Sequence, residues 1–249
     1  IKESQSLKYI HKVLGAQEYI NNIERYCLWL VDITPEELKN SPMIYERVRK
    51  VREFRLASNA ESTRKFADKA TEFKQNAQPN TPYLIIPIVS SENRRYIPIG
   101  YIQPDVIATN ATQIVPNASL YEFGVITSNV HMAWMRTVAG KLESRYRYSN
   151  TIVYNTFPWV DISEQEKQKI ELTAQEILNV RAKYSTSSFA ALYDDNIMPS
   201  DLRTAHQKND RAVMEAYGMT KVVDGKRTWL TESETVARLF EMYEELTKQ

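Results

Sequence analysis

The six glycines of this 249-residue chain, Gly15, Gly100, Gly124, Gly140, Gly218 and Gly225, never come closer together than seven residues. A dinucleotide-binding turn or a P-loop places its glycines within about six residues of one another, because the backbone must approach a phosphate with no Cβ in the way. The chain therefore lacks the marker of the sheets that are built around nucleotide cradles. His11, His131 and His206 are far apart and have no cysteine or second histidine at ligand spacing, so no metal site is expected. His206 and Asp210 stand i,i+4 and read as a surface salt bridge. No Ser/His/Asp or Cys/His set can be assembled, which disfavours a self-standing hydrolase. Cys27, the single cysteine, lies in an apolar run and reads as buried and inert. With no internal disulfide possible and no signal segment at the start, a cytoplasmic setting is expected. The longest apolar run, Tyr83 to Val89, is broken by Pro87, so no membrane span is expected. Ile1 in place of an initiator methionine suggests a piece of a longer protein.

Charge is balanced overall but unevenly placed. Residues 160–249 carry 12 basic and 16 acidic side chains, which leaves 20 basic and 15 acidic for residues 1–159. Within the basic part the densest cluster is Arg47, Arg49, Lys50, Arg52 and Arg55, where an anionic polymer would be felt most. With Val48, Val51 and Phe54 interleaved, the cluster fits a helix whose apolar stripe packs inward while its cations face solvent. Weak contact with DNA phosphates is the functional alternative, and it would give affinity without sequence choice.

Patterning predicts an α+β first domain, residues 1–160, with a mainly antiparallel sheet, followed by an all-α helical domain, residues 161–249. Tyr9 to Asn21 has weak helical spacing, and Arg25 to Val31 reads as a buried strand. Pro42 to Asn76 reads as two helices hinged near Ser58 and Asn59. Tyr83 to Val89, Tyr96 to Ile102, Val106 to Ile114 and Phe123 to Ile126 read as strands, with Pro87 and Pro98 marking edges or bulges. Ser128 should cap a helix that Gly140 ends, and Arg145 to Tyr154 should be a strand. Ser163 to Tyr184, Pro199 to Tyr217 and Thr231 to Lys248 are amphipathic, the first and last opened by the capping boxes Ser163-Glu-Gln-Glu166 and Thr231-Glu-Ser-Glu234.

The segment Lys141 to Asn150 carries the chemistry. If it is extended, Glu143, Arg145 and Arg147 share one face, and Leu142, Ser144, Tyr146 and Tyr148 share the other. A glutamate can accept from cytosine N4 and an arginine can fork onto guanine O6 and N7, so Glu143 and Arg145 together could read one C·G pair in a major groove. On the residues alone a solvated sheet face, with Glu143 paired weakly to Arg145 or to a cross-strand partner, is the simpler account of the same pattern. Asn155-Thr-Phe-Pro-Trp159 partly resembles the base-holding loop of adenine methyltransferases but lacks its proline pair, and it reads as a turn with Trp159 buried. Asp224-Gly-Lys226 is first of all a turn signal.

Five segments, Gly15-Ala-Gln-Glu-Tyr-Ile-Asn-Asn22, Arg25-Tyr-Cys-Leu-Trp-Leu30, Ser90 to Gly100, Phe123 to Trp134 and Tyr146 to Trp159, resemble the target-recognition domain of MmeI-like DNA methyltransferases, single-chain type II restriction and modification proteins. Leu192-Tyr-Asp, Met198-Pro, Ala205-His, Asp210-Arg-Ala-Val213 and Ala216-Tyr-Gly218 resemble the helical domain that closes those proteins. The resemblance implies double-stranded DNA as partner. It also implies an upstream N6-adenine methyltransferase domain that binds S-adenosylmethionine, commonly preceded by an endonuclease domain. This chain would choose the DNA sequence, with no cofactor, metal or catalytic residue of its own. In the family, base choice is set in the segment matching Glu143, Arg145 and Arg147 and near the residue matching Ala111. The family's proline after Phe-Pro-Trp is Val160 here. A structural or protein-interaction module without direct DNA contact is the competing class.

Overall fold

The computed structural model describes residues 4–248. A 3-10 turn leads into β1 (Ile10–Leu14), and Gly15 then opens α1 (Ala16–Asn21), so the helix expected from Tyr9 onward is a strand followed by a helix. β2 (Tyr26–Leu28) pairs antiparallel with β1. It is not the buried strand expected. It forms the edge of the order β2-β1-β6, with Tyr26 exposed and Cys27 half-buried, its thiol pushed up by burial.

α2 (Pro35–Lys39), capped by Thr34, leads to α3 (Pro42–Leu56), and α4 (Glu61–Arg64) is a single turn before a 3-10 turn at Ala67–Lys69. Ile44 and Val48 pack toward Tyr9 and Leu30. The stripe stops there. Val51 is 37% and Phe54 76% exposed, because among the described residues none covers the second half of the helix on that side.

All five residues of β3 (Tyr83–Pro87) are buried, and the strand is the centre of a sheet of order β5-β3-β7. Pro87 is therefore not on an edge strand. It ends the central one, and the next N–H, that of Ile88, donates to the Ala111 carbonyl at 3.1 Å. The chain passes straight on into β4 (Val89–Ser90) of a second sheet, of order β4-β9-β8. β5 (Gly100–Ile102) is shorter than expected, since Tyr96, Ile97 and Ile99 are buried outside any strand and Pro98 falls with them. β6 (Ile107–Ala108) runs parallel to β1, and β7 (Thr112–Pro116) runs antiparallel to β3.

The strand expected at Phe123–Ile126 is instead α5 (Leu120–Thr127), opened by a Ser119/Glu122 capping box and buried from Phe123 to Thr127. A short, wholly apolar run does not distinguish buried strand from buried helix. Ser128 caps α6 (Asn129–Val138) as expected. Gly140 does not end α6, because the chain leaves it extended at Ala139 (φ −67°, ψ 141°) and Gly140 begins β8 (Gly140–Leu142). β9 (Arg145–Arg147) is only three residues long, and Asn150 to Tyr154 forms one wide helical turn in which Tyr154 donates to the Ser149 carbonyl.

α7 (Glu164–Ala182), α8 (Phe189–Leu192) and α9 (Ser200–Ala216) follow. β10 (Thr220–Val223) and β11 (Lys226–Trp229) then form a hairpin, and α10 (Glu232–Thr247) closes the chain. The α+β class with small, mainly antiparallel sheets and a helical C-terminal region is as expected. The hairpin was missed, although Asp224 and Gly225, both left-handed (φ 51° and 73°), are what a two-residue hairpin turn selects.

His206 and Asp210 are not a surface pair. Both lie on the inner face of α9, where His206 shares a hydrogen bond with the Tyr193 hydroxyl at 2.9 Å. Asp210 accepts from the Tyr96 hydroxyl at 2.6 Å and from the Asn129 N–H at 2.8 Å. One apolar cluster runs from Leu84 through Phe123 and Trp134 to Ile170, Leu202 and Leu239, so the core crosses residue 160 without a break. At its centre α5 meets α7 over Gly124, where an added Cβ would stand 2.6 Å from Ile170 Cγ2 and 3.2 Å from Ala174 Cβ. Gly124→Ala is expected to lower stability by about 1–3 kcal/mol in spite of alanine's better helix propensity. A denaturation midpoint unchanged or raised at constant m-value would show that the helices can move apart.

Candidate functional site

The β4-β9-β8 sheet, α1 and the turn that precedes β7 border an open concavity of about 690 Å³. One wall is α1, through Gln17 and Asn21, whose amides bond each other at 2.9 Å. Asn110 and Ala111 in the turn just before β7 and Arg94 on the loop after β4 form the flanks. The hairpin β8–β9 closes it with Leu142, Arg145 and Arg147.

The hairpin differs from the extended segment expected of Lys141 to Asn150. Leu142 pairs directly with Arg145 and Gly140 with Arg147, so Glu143 and Ser144 form a two-residue turn, with Glu143 left-handed at φ 59°. The turn puts Leu142 on the same face as Arg145 and Arg147, and Glu143 at the tip in place of a strand position. The pairing of Glu143 with Arg145 survives: Arg145 Nη2 lies 2.6 Å from Glu143 Oε2. Ala111, far away in sequence, lines the same concavity as the two arginines.

Two ties fix the hairpin in place. β9 pairs with β4, matching Val89 with Arg147, and the Ser144 hydroxyl donates to Glu92 Oε1 at 2.7 Å. That hydrogen bond holds the Glu92 carboxyl below the usual carboxylate range, helped by the charges of Arg145 and Lys141. Below the hairpin, Tyr148 is buried with its hydroxyl 2.9 Å from His131 Nε2, which anchors the strand's exit on α6.

The basic cluster on α3 lies apart, since none of its residues lines the concavity. Arg49 pairs with Glu46 at 2.8 Å and with Glu53, Lys50 with Glu46 at 3.5 Å, and Arg52 with Asp68 at 3.2 Å. Arg55 donates to the carbonyls of Phe66, Lys69 and Glu72, holding the following turns against the helix. The Arg47 side chain has no ion pair or hydrogen bond among the described residues. Trp159 is partly exposed, against expectation, and meets Phe157 edge-on at 5.4 Å between ring centroids. Among the described residues no cluster of His, Cys, Asp and Glu could hold a metal ion, and no helix is long and apolar enough to cross a membrane.

Sequence reasoning missed Arg94, Asn110, Gln17 and Asn21 in the concavity. They lie on three separate segments, and no spacing rule connects them.

Residues 1–161 match the model of the MmeI target recognition domain, and residues 162–249 match that of the MmeI C-terminal domain. DNA methyltransferase A of Bacillus subtilis (strain 168) is 34% identical over 248 residues, a match that spans 100% of this chain and 27% of that protein. A solved structure of the Type IIL restriction-modification enzyme MmeI in complex with DNA superposes with a TM-score of 0.92 at 45% identity, over 98% of this chain and 32% of that one. The chain thus spans about a third or less of the length of either relative. With both family models matched in order along its length, the chain belongs to the MmeI family as a target recognition domain followed by a C-terminal domain.

Proposed function

We propose that this chain is the sequence-specific DNA recognition module of a site-specific adenine-N6 DNA methyltransferase. S-adenosylmethionine is bound by a methyltransferase domain elsewhere in the parent chain, and the module itself performs no catalytic step. In this reading the two domains meet near residue 160, the partner is double-stranded DNA, and the protein works in the cytoplasm. Glu143, Arg145 and Arg147, with Ala111 beside them, face the bases, and Arg47, Arg49, Lys50, Arg52 and Arg55 contribute weak backbone attraction. The observation that carries the reading is the meeting of Arg145, Arg147 and Ala111 around one open concavity, from segments more than thirty residues apart. Guanidinium groups on a protruding two-stranded ribbon suit a major groove, which is wide enough to admit such a ribbon.

Fluorescence anisotropy with a labelled duplex tests this. Binding by the chain should weaken steeply with salt, log K falling against log salt with a slope of about 0.9 for each phosphate neutralised. No binding even at low salt would overturn the reading.

A second reading is favoured by α3 alone. Two of its four arginines, Arg49 and Arg52, are paired with carboxylates and Arg55 is turned onto backbone carbonyls, while Val51 and Phe54 stand exposed, a surface better suited to a protein than to phosphates. Association with a protein that is insensitive to salt, with no retention of nucleic acid, would favour this structural or protein-interaction role.

A further inference from the structure

Arginines at the concavity differ in how far their charge is already met. Arg145 is paired with Glu143. Arg94 is half-buried, yet its guanidinium makes no hydrogen bond or ion pair among the described residues, and only the charge of Asp194 offsets its loss of water. Burial pushes this guanidinium below the usual arginine range. A partly buried cation with no counter-charge is costly in the free protein, and an arriving anion recovers that cost. Arg94 also opens onto the same concavity as Arg145 and Arg147. Its position relative to them is fixed, because the loop that carries it leaves β4, which pairs with β9, and is tied to the hairpin turn through Glu92 and Ser144.

We infer that Arg94 is a DNA-backbone anchor: its guanidinium takes a phosphate of the strand flanking the groove that the β8–β9 hairpin enters, and so sets the register in which Arg145 and Arg147 meet the bases. A phosphate is the fitting acceptor for a residue at the side of the ribbon, since contacts there position the protein and base edges are reached from the ribbon itself. The inference rests on the DNA-reading function proposed above. It adds a residue that sets affinity and register, with no part in base choice.

Arg94→Gln and Arg94→Lys should be compared with the unaltered chain by anisotropy across a salt series, with thermal melting to confirm folding. Arg94→Gln is expected to weaken binding roughly tenfold and to reduce the salt slope by about one. Arg94→Lys should restore the slope and part of the affinity, and the preferred base sequence should not change in either variant. A duplex series in which single phosphates are replaced by neutral methylphosphonates supplies the second readout. One replacement should weaken the unaltered chain and leave Arg94→Gln indifferent. If the unaltered chain binds duplex and Arg94→Gln matches it in affinity and slope, the anchor is wrong while the recognition role stands. A change in preferred base would make Arg94 a reader and also overturn the anchor. If the unaltered chain binds no duplex at all, the recognition role falls and the anchor with it.

Discussion

Exchanging the charges at the hairpin tip, Glu143→Arg with Arg145→Glu, is expected to change the preferred base pair at one position of the DNA site recognised by the parent methyltransferase and to leave the other positions alone. In the folded hairpin the two side chains are held together, Arg145 Nη2 at 2.6 Å from Glu143 Oε2, so the pair is preorganised as one donor fork beside one acceptor. That is the complement of a guanine and the cytosine paired with it. Reversing the two reverses which strand each group addresses. A well-made bidentate contact discriminates by about 1–3 kcal/mol, so the preference should shift roughly five- to 150-fold. Glu143 is already left-handed, and an arginine there meets the same backbone demand, so the turn should tolerate the exchange. The measurement is methylation by the parent protein across duplexes varied one base pair at a time. An unchanged recognition sequence at undiminished activity would mean that Glu143 and Arg145 neutralise each other in solvent and read nothing.

The helical half of the molecule was legible because its signals are local. Ser163 with Glu166 and Thr231 with Glu234 form the capping boxes their spacing predicts, and the helices run between punctuating residues. The hairpin that closes the concavity was not legible, because Glu143-Ser144 has none of the glycine or asparagine that usually marks a two-residue turn. A period-two reading therefore ran straight through it and placed Leu142 opposite the arginines. Arg94 was hidden for a related reason. Ser91-Glu-Asn-Arg-Arg95 reads as a polar loop, and only the Ser144 to Glu92 hydrogen bond and the pairing of β4 with β9 bring it beside Arg145. The grouping of Ala111 with the hairpin came from family resemblance, since no periodicity links residues so far apart. His206 and Asp210 show the opposite error. An i,i+4 spacing says that two side chains share a helical face, and which face is covered depends on α6 and the Tyr96 segment packing there.

The same buried polar groups are expected to make stability fall on mild acidification. His131 is wholly buried, with Nε2 on the Tyr148 hydroxyl and the ring edge-on to Phe157, and burial pushes its imidazole down to about 3. His206 is driven well below its ordinary value first by burial and then by the charge of Arg181. Asp210 moves the other way, raised by burial to about 6 against the opposing hydrogen bonds from Tyr96 and Asn129. A depressed histidine contributes stability above its unfolded value of 6.5, and that stability is lost as pH falls, because the unfolded chain takes up the proton first. A raised aspartate does the reverse, contributing most below its unfolded value of 3.8 and losing that contribution as pH rises through about 6. Between these limits the unfolded chain gains two protons and the folded chain one. The net is a loss of about 2 kcal/mol between pH 6.5 and 5, before exposed carboxylates titrate. Chemical denaturation at stepped pH should show this slope. His131→Gln should start less stable at pH 7.5 and then lose little more on acidification, because the remaining histidine and Asp210 nearly cancel. A wild-type stability that stays level from pH 7.5 to 5 would mean that both imidazoles can be protonated inside the folded core.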